Sequence, residues 1–155
     1  PPPPPPPPPP SYSPAHHREH PNWLRRQRQM CIRDRFYLGA DLATPVEKKP
    51  KYKPLRVTSK QVTRIEKTID KYNAKLAPLN SFVLPGGSQS AAFLHNARTV
   101  TRRAETQIVA LAKKEEVNEE AIKYINRLSD LFFVLSRVEN NNGKKDILWK
   151  PGKNV

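Results

Sequence analysis

The sequence predicts an all-α protein, an antiparallel helical bundle. Three observations predict it. Apolar residues recur at spacings of three and four along three successive stretches from residue 59 onward. No stretch shows a strand alternation that competes with them. Fifteen of the 18 prolines fall within residues 1–54, so the remainder is almost free of the residue that most disrupts helices.

Residues 1–35 open with ten prolines and read as a disordered, Pro-rich and basic leader. Such a run favours an extended left-handed helix without internal hydrogen bonds. Within it, Met30-Cys31-Ile32-Arg33-Asp34-Arg35 matches the translation of a transposon end used in sequencing libraries. The leader is therefore expected to be an artefact joined to a genuine segment. On that reading His16, His17 and His20 are not a metal site, and Cys31 reports nothing about compartment. Residues 36–45, FYLGADLATP, read as the last turns of a helix stopped by Pro45. Residues 46–57 are a basic linker.

Val62, Ile65, Ile69, Tyr72 and Leu76 predict a helix over 59–76, capped by Thr58 or Ser59 and followed by Pro78. Residues 77–88 form a longer joint containing Phe82 and the turn Pro85-Gly86-Gly87. A second helix over 88–114 has a face of small residues, from Ala91, Leu94 and Ala97 to Ile108 and Leu111, and is expected to be central. A third, over 119–140, starts on Asn118 with Glu119 and Glu120 in its positive first turn. Its stripe is Ile122, Ile125, Leu128, Phe132 and Leu135, and Asn140-Asn141-Asn142-Gly143 ends it. The tail from Lys144 is expected to be loose, with Trp149 packing back or serving an oligomer. As domains, residues 36–150 form the bundle and 151–155 a loose end.

The net charge is +14, spread evenly between residues 1–57 and 58–155. It suits an anionic partner, or solvated lysines on helix faces. No apolar run is long enough to span a bilayer. With one cysteine, no intrachain disulfide or cysteine-based metal cluster forms, which suits a reducing compartment.

Arg98, Arg102 and Glu105 are spaced four and three apart and project from one side of the central helix, while Arg103 points elsewhere. Two guanidiniums one turn apart make a fork for phosphate oxygens, or an ordinary surface ion-pair ladder. Asn126 and Asp130 flank the apolar stripe of the last helix. They either bridge to the neighbouring arginines or bind a ligand. Gly86 and Gly87 start a helix sharply, as an anion site or a plain turn. His95 reads as a core or surface histidine. No nucleophile–base arrangement, metal-ligand spacing or GxxxxGK loop is present.

SFVLPGG, ARTVTRRAE and INRLSDLFFVLSR, in that order, resemble the ATP:cob(I)alamin adenosyltransferases of the propanediol-utilisation type. FYLGADLATP resembles the end of that family's second helix. The resemblance covers residues 36–150. It implies a cytoplasmic five-helix bundle, assembled as a homotrimer with sites between subunits, here lacking the first helix. It implies transfer of the 5′-deoxyadenosyl group of ATP to cobalt of cobalamin or another corrinoid, with Mg²⁺ and release of triphosphate. Arg102 is implied as the main phosphate contact within the ATP segment Arg102, Arg103, Ala104, Glu105 and Thr106. Asn126 is implied to hydrogen-bond the nucleotide, Arg98 to form an intersubunit salt bridge near the site, and Phe82 to close the lower face of the corrin. Two departures stand out. Thr106 replaces an arginine found in many members, and the family's Thr/Gly/Asp-rich triphosphate loop has no counterpart in residues 1–35. The competing readings are a non-catalytic corrinoid or nucleotide-binding module, and a basic nucleic-acid binder. The latter lacks aromatic–basic interleaving and any nucleic-acid-binding motif.

Overall fold

The computed structural model describes residues 22–47 and 51–152, and the side chains from residue 31 onward. Four helices and one pair of short strands appear among them: α1 (Asn22–Ala43), α2 (Ser59–Asn73), β1 (Val83–Leu84), α3 (Gln89–Ala112), α4 (Glu119–Glu139) and β2 (Ile147–Leu148). The chain divides into two units at residue 33. The first contributes, among its described residues, the opening turns of α1. The second holds everything else.

The helix ending at Ala43 begins at Asn22, so residues 22–35 are helical rather than unstructured. Residues 1–21 of the expected leader lie outside the described residues. Asp34 ties α1 to α2: Arg64 Nη2 donates to both of its carboxylate oxygens at 2.8 and 2.6 Å, and Gln61 Nε2 donates at 3.1 Å.

Periodicity placed α2, α3 and α4 within a few residues of their observed ends, and the caps follow the expected chemistry. Thr58 N–H donates to Gln61 Oε1 at the start of α2. Ser88 Oγ accepts from Ala91 N–H at α3, and Asn118 Oδ1 accepts from Glu120 N–H at α4. The largest side chains fully removed from water are Tyr124, Ile65, Leu128 and Leu131. Three of the four lie on α4. The central helix is therefore α4, which packs against both α2 and α3. The small-residue face of α3 allows close approach to one neighbour. Its other faces carry exposed Phe93, Val100 and Val109.

The tail is not loose. Ile147 and Leu148 pair antiparallel with Leu84 and Val83. Trp149 N–H donates to the Phe82 carbonyl at 2.8 Å, and Ser81 Oγ–H donates to the Trp149 carbonyl at 2.7 Å. A two-residue strand is too short to leave an alternation in the sequence, so its pairing was illegible. Asn141, Asn142 and Gly143 adopt left-handed φ values of 57°, 53° and 84°, and turn the chain back towards that strand.

The Pro85-Gly86-Gly87 turn is held by the fully buried Asn140. Its Oδ1 accepts from Ser88 N–H at 2.9 Å and its Nδ2 donates to the Gly86 carbonyl at 3.2 Å. Gly87 has φ +98°, and a Cβ there would collide with the Asn140 amide. Gly87→Ala is expected to cost about 1–3 kcal/mol from the backbone conformation alone, with the collision added. A urea melt checks it, and an unchanged midpoint would contradict the geometry.

Candidate functional site

The cation-rich face of α3 borders an open cleft of about 520 Å³. Arg102, Arg103, Glu105, Thr106 and Lys113 line it, with Val109 and Ala110 supplying apolar wall. Arg102 to Lys113 spans three helical turns, about 16 Å. Glu105 is the cleft's fixed point: Asn126 Nδ2 on α4 donates to its Oε1 at 2.8 Å. Among the described residues the side chains of Arg102, Arg103 and Lys113 have no ion-pair or hydrogen-bond partner. Three uncommitted cations beside one carboxylate leave the cleft net positive, a setting that favours a polyanion.

The expected residues fall into three groups. Arg102, Arg103, Glu105 and Thr106 come together in the cleft. Asn126 reaches it through Glu105, without lining it, and Ala104 sits half-buried alongside. Lys113 was not singled out from the sequence. Its signal was available, because Arg102, Thr106, Val109 and Lys113 follow spacings of four, three and four and so share a helix face.

Arg98 does not line the cleft. Its guanidinium stacks on the Phe133 ring at 4.7 Å, and its Nε is buried without a partner. Asp130 does not meet the α3 arginines either. It accepts from Arg127 Nη1 at 2.9 Å on its own helix, and Arg127 also pairs with Glu66 of α2. Sequence proximity to the apolar stripe could not say on which side of that stripe Asp130 lies. Phe82 stands apart, beyond the N-terminus of α3. It is 77% exposed, and Trp149 meets it edge-on with centroids 6.2 Å apart. The glycine turn leading into α3 is closed by Asn140, so the helix start serves as a locked turn and Ser88 N–H is already occupied.

His95 is buried beside Arg98, edge-on to Phe133 at 6.4 Å, with Nε2 unpartnered. Burial, followed by the Arg98 charge, lowers its pKa, and Asp146 opposes this. The folded state therefore binds fewer protons than the unfolded state just below the ordinary value of 6.5. Stability should fall as pH drops from there towards the lowered pKa. The slope of unfolding free energy against pH should flatten in this window in His95→Gln. An identical slope in both proteins would show that His95 does not carry it.

The fold and site define a class in structural terms: a helical bundle with a guanidinium-lined cleft on α3 and a separate, exposed aromatic pair beyond that helix's N-terminus. The cobalamin adenosyltransferase family model matches residues 15–139, and the chain belongs to that family. It is 53% identical over 121 residues to the corrinoid adenosyltransferase of Mycobacterium tuberculosis, covering 77% of this chain and 62% of the relative. It is 50% identical over 105 residues to that of Bacillus subtilis, covering 68% and 52% respectively. Among solved structures it is similar to a variant PduO-type ATP:corrinoid adenosyltransferase from Lactobacillus reuteri complexed with cobalamin and ATP. There the TM-score is 0.66 at 38% identity, covering 83% of this chain and 69% of that one. The chain thus spans between half and two thirds of these two curated relatives, and about a third of the PduO corrinoid adenosyltransferase of Salmonella typhimurium, to which it is 40% identical over 107 residues.

Proposed function

We propose that this chain carries part of the active site of an enzyme that moves the 5′-deoxyadenosyl group of ATP onto the cobalt of cob(I)alamin. Co(I) supplies the electron pair that attacks the 5′ carbon. The carbon–oxygen bond breaks, and triphosphate leaves with that bond's electrons. The observation that carries this reading is the cleft with its three uncommitted cations. Negative charge grows on the leaving group, and fixed cations stabilise it there. Arg102 is the main phosphate contact, with Arg103 and Lys113 adding positive charge along the same groove. Asn126 holds Glu105, and this pair orients the nucleoside end of ATP. Phe82 is the apolar ring for the lower face of the corrin, where it excludes an axial ligand.

The described residues do not fit a resident Mg²⁺. Nowhere among them do three histidine, cysteine, aspartate or glutamate side chains converge, and Glu105 is engaged by Asn126. Mg²⁺ accordingly enters this reading only as a counterion brought by the phosphates of ATP, and no step is routed through it.

A homotrimer, with Arg98 near the subunit contact, rests on the family resemblance; among the described residues of this chain the Arg98 Nε is buried without a partner. A cytoplasmic setting accords with the intracellular chemistry of ATP and reduced cobalt. Among the described residues no helix is long and apolar enough to cross a membrane. Residues 36–150 carry the catalytic bundle, and the genomic DNA upstream of codon 36 tests whether the leader belongs with it. Asn126→Ala should weaken ATP binding about tenfold, the scale of one lost hydrogen bond to a charged partner. Isothermal titration checks it, and unaltered affinity would remove the Asn126–Glu105 pair from the nucleotide site.

A further inference from the structure

The end of the bundle farthest from the cation cleft contains a dense buried network that the reading above leaves unused. Arg137 Nε, on the last turn of α4, donates to Asp146 Oδ2 at 2.9 Å, with both side chains almost fully buried. Arg137 Nη2 also donates to the Ala77 carbonyl at 2.9 Å. Asn140 Nδ2 donates to Asp146 Oδ1 at 3.2 Å, so both carboxylate oxygens are held. Asp146 is the residue immediately before β2. One residue beyond that strand, Trp149 clasps the Phe82 backbone and meets its ring.

We propose that Arg137, Asn140 and Asp146 form a latch that positions Phe82 for the corrinoid. The inference rests on the reading of Phe82 given above. Phe82 lies in a joint between α2 and α3 and is largely exposed, so local packing does not fix it. The latch does so from both sides. Arg137 anchors the start of the joint at Ala77, and Asn140 anchors its end at Gly86 and Ser88. Both residues also grip Asp146, which delivers β2 and Trp149 against the middle of the joint. An isolated two-residue strand pair has no independent stability, so the pairing depends on these anchors. A ring that must press on a flat macrocycle and exclude a ligand gains from being held in one place before the substrate arrives. Arg137, Asn140 and Asp146 are thus positioning residues, acting through the tail strand.

The test uses the full chain with Trp23→Phe, which leaves Trp149 as the only indole. Asp146→Asn keeps the shape and removes the charge. Ser81→Ala removes only the exposed clip onto the Trp149 carbonyl and keeps the question answerable if Asp146→Asn folds poorly. Both variants should increase acrylamide quenching of Trp149 without loss of helical circular dichroism. With ATP present, the absorption spectrum then reports the four-coordinate fraction of added cob(II)alamin, and of a cob(II)inamide that has no lower base to expel. The latch variants should lower the fraction for cob(II)alamin by about tenfold, the scale at which supporting contacts change activity, and lower it much less for cob(II)inamide, whose lower ligand is only a weakly held water. Equal losses with the two corrinoids, or no loss with either, would overturn the positioning role. If even the wild-type chain leaves both corrinoid spectra unchanged while Trp149 still loosens in the variants, the adenosyltransferase reading of Phe82 fails. The positioning role then falls with it, and the latch is left as a device of the fold.

Discussion

Arg102→Ala should lower adenosyl transfer from ATP to cob(I)alamin by about 10²–10³-fold, the usual loss when one preorganised group facing developing charge is removed. The fold should not notice. The Arg102 side chain is exposed and bonds nothing among the described residues, so its loss should stay within about 0.5 kcal/mol in a melt. Arg102→Lys separates charge from shape: an ammonium keeps the charge but cannot present the planar, two-pronged donor of a guanidinium. It should recover ATP affinity better than turnover. Single-turnover kinetics alongside calorimetric ATP titration distinguish the two effects. Unchanged turnover and unchanged ATP affinity in the alanine variant would remove the α3 cleft from the path of the nucleotide.

Asp41→Ala should cost about 3–5 kcal/mol, the range for breaking a buried ion pair by deleting one partner. That is a large share of the roughly 5–15 kcal/mol that holds a domain together. Asp41 is 3% exposed. Its carboxylate receives Arg56 Nη1 at 2.8 Å, the Val57 N–H at 2.7 Å and Asn118 Nδ2 at 2.7 Å. One side chain thus joins the end of α1, the arrival of the linker and the cap of α4. Deleting it strands the buried Val57 N–H and removes, among the described residues, the only carboxylate facing Arg56, although Arg56 keeps backbone carbonyls of residues 41, 44 and 45 and Asn118 keeps the Val57 carbonyl. Asp41→Asn should be milder, because one carbonyl acceptor survives. Urea unfolding followed by circular dichroism measures both variants, and a loss below about 1 kcal/mol in the alanine variant would contradict the hub.

The helices were legible because each has one apolar stripe, and a stripe is a statement about period. Val62, Ile65 and Tyr72 are buried on α2 as their spacing required. Caps at Ser88 and Asn118 were legible for a local reason: an oxygen-bearing side chain satisfies a nearby N–H. Apart from Lys113 and Asp130, the missed side-chain features involve partners distant in sequence. Asp41, which the sequence did not single out, makes one of its bonds to Asn118, 77 positions away. Arg137, which the sequence did not single out either, is 6% exposed and bound to Asp146 and Ala77. The centrality of α4 was hidden too, because small residues on α3 signal closeness to one neighbour without saying how many neighbours there are. At the cleft, helical spacing correctly grouped Arg102 with Glu105. It placed Arg98 on the same side, but could not foresee that Phe133 would draw its guanidinium onto a ring.

Ser81 hydrogen-bonds a carbonyl 68 residues downstream, and this imposes a timetable on biosynthesis. At about 5–20 residues per second, a ribosome that has just added Ser81 needs roughly 3–14 s to add Trp149. Throughout that interval the stretch around Phe82 has emerged, or is emerging, without its closing strand, as a bare aromatic segment open to chaperones and proteases. The nascent bundle can assemble its earlier helices first, but this end of the molecule is finished only once Trp149 has been made.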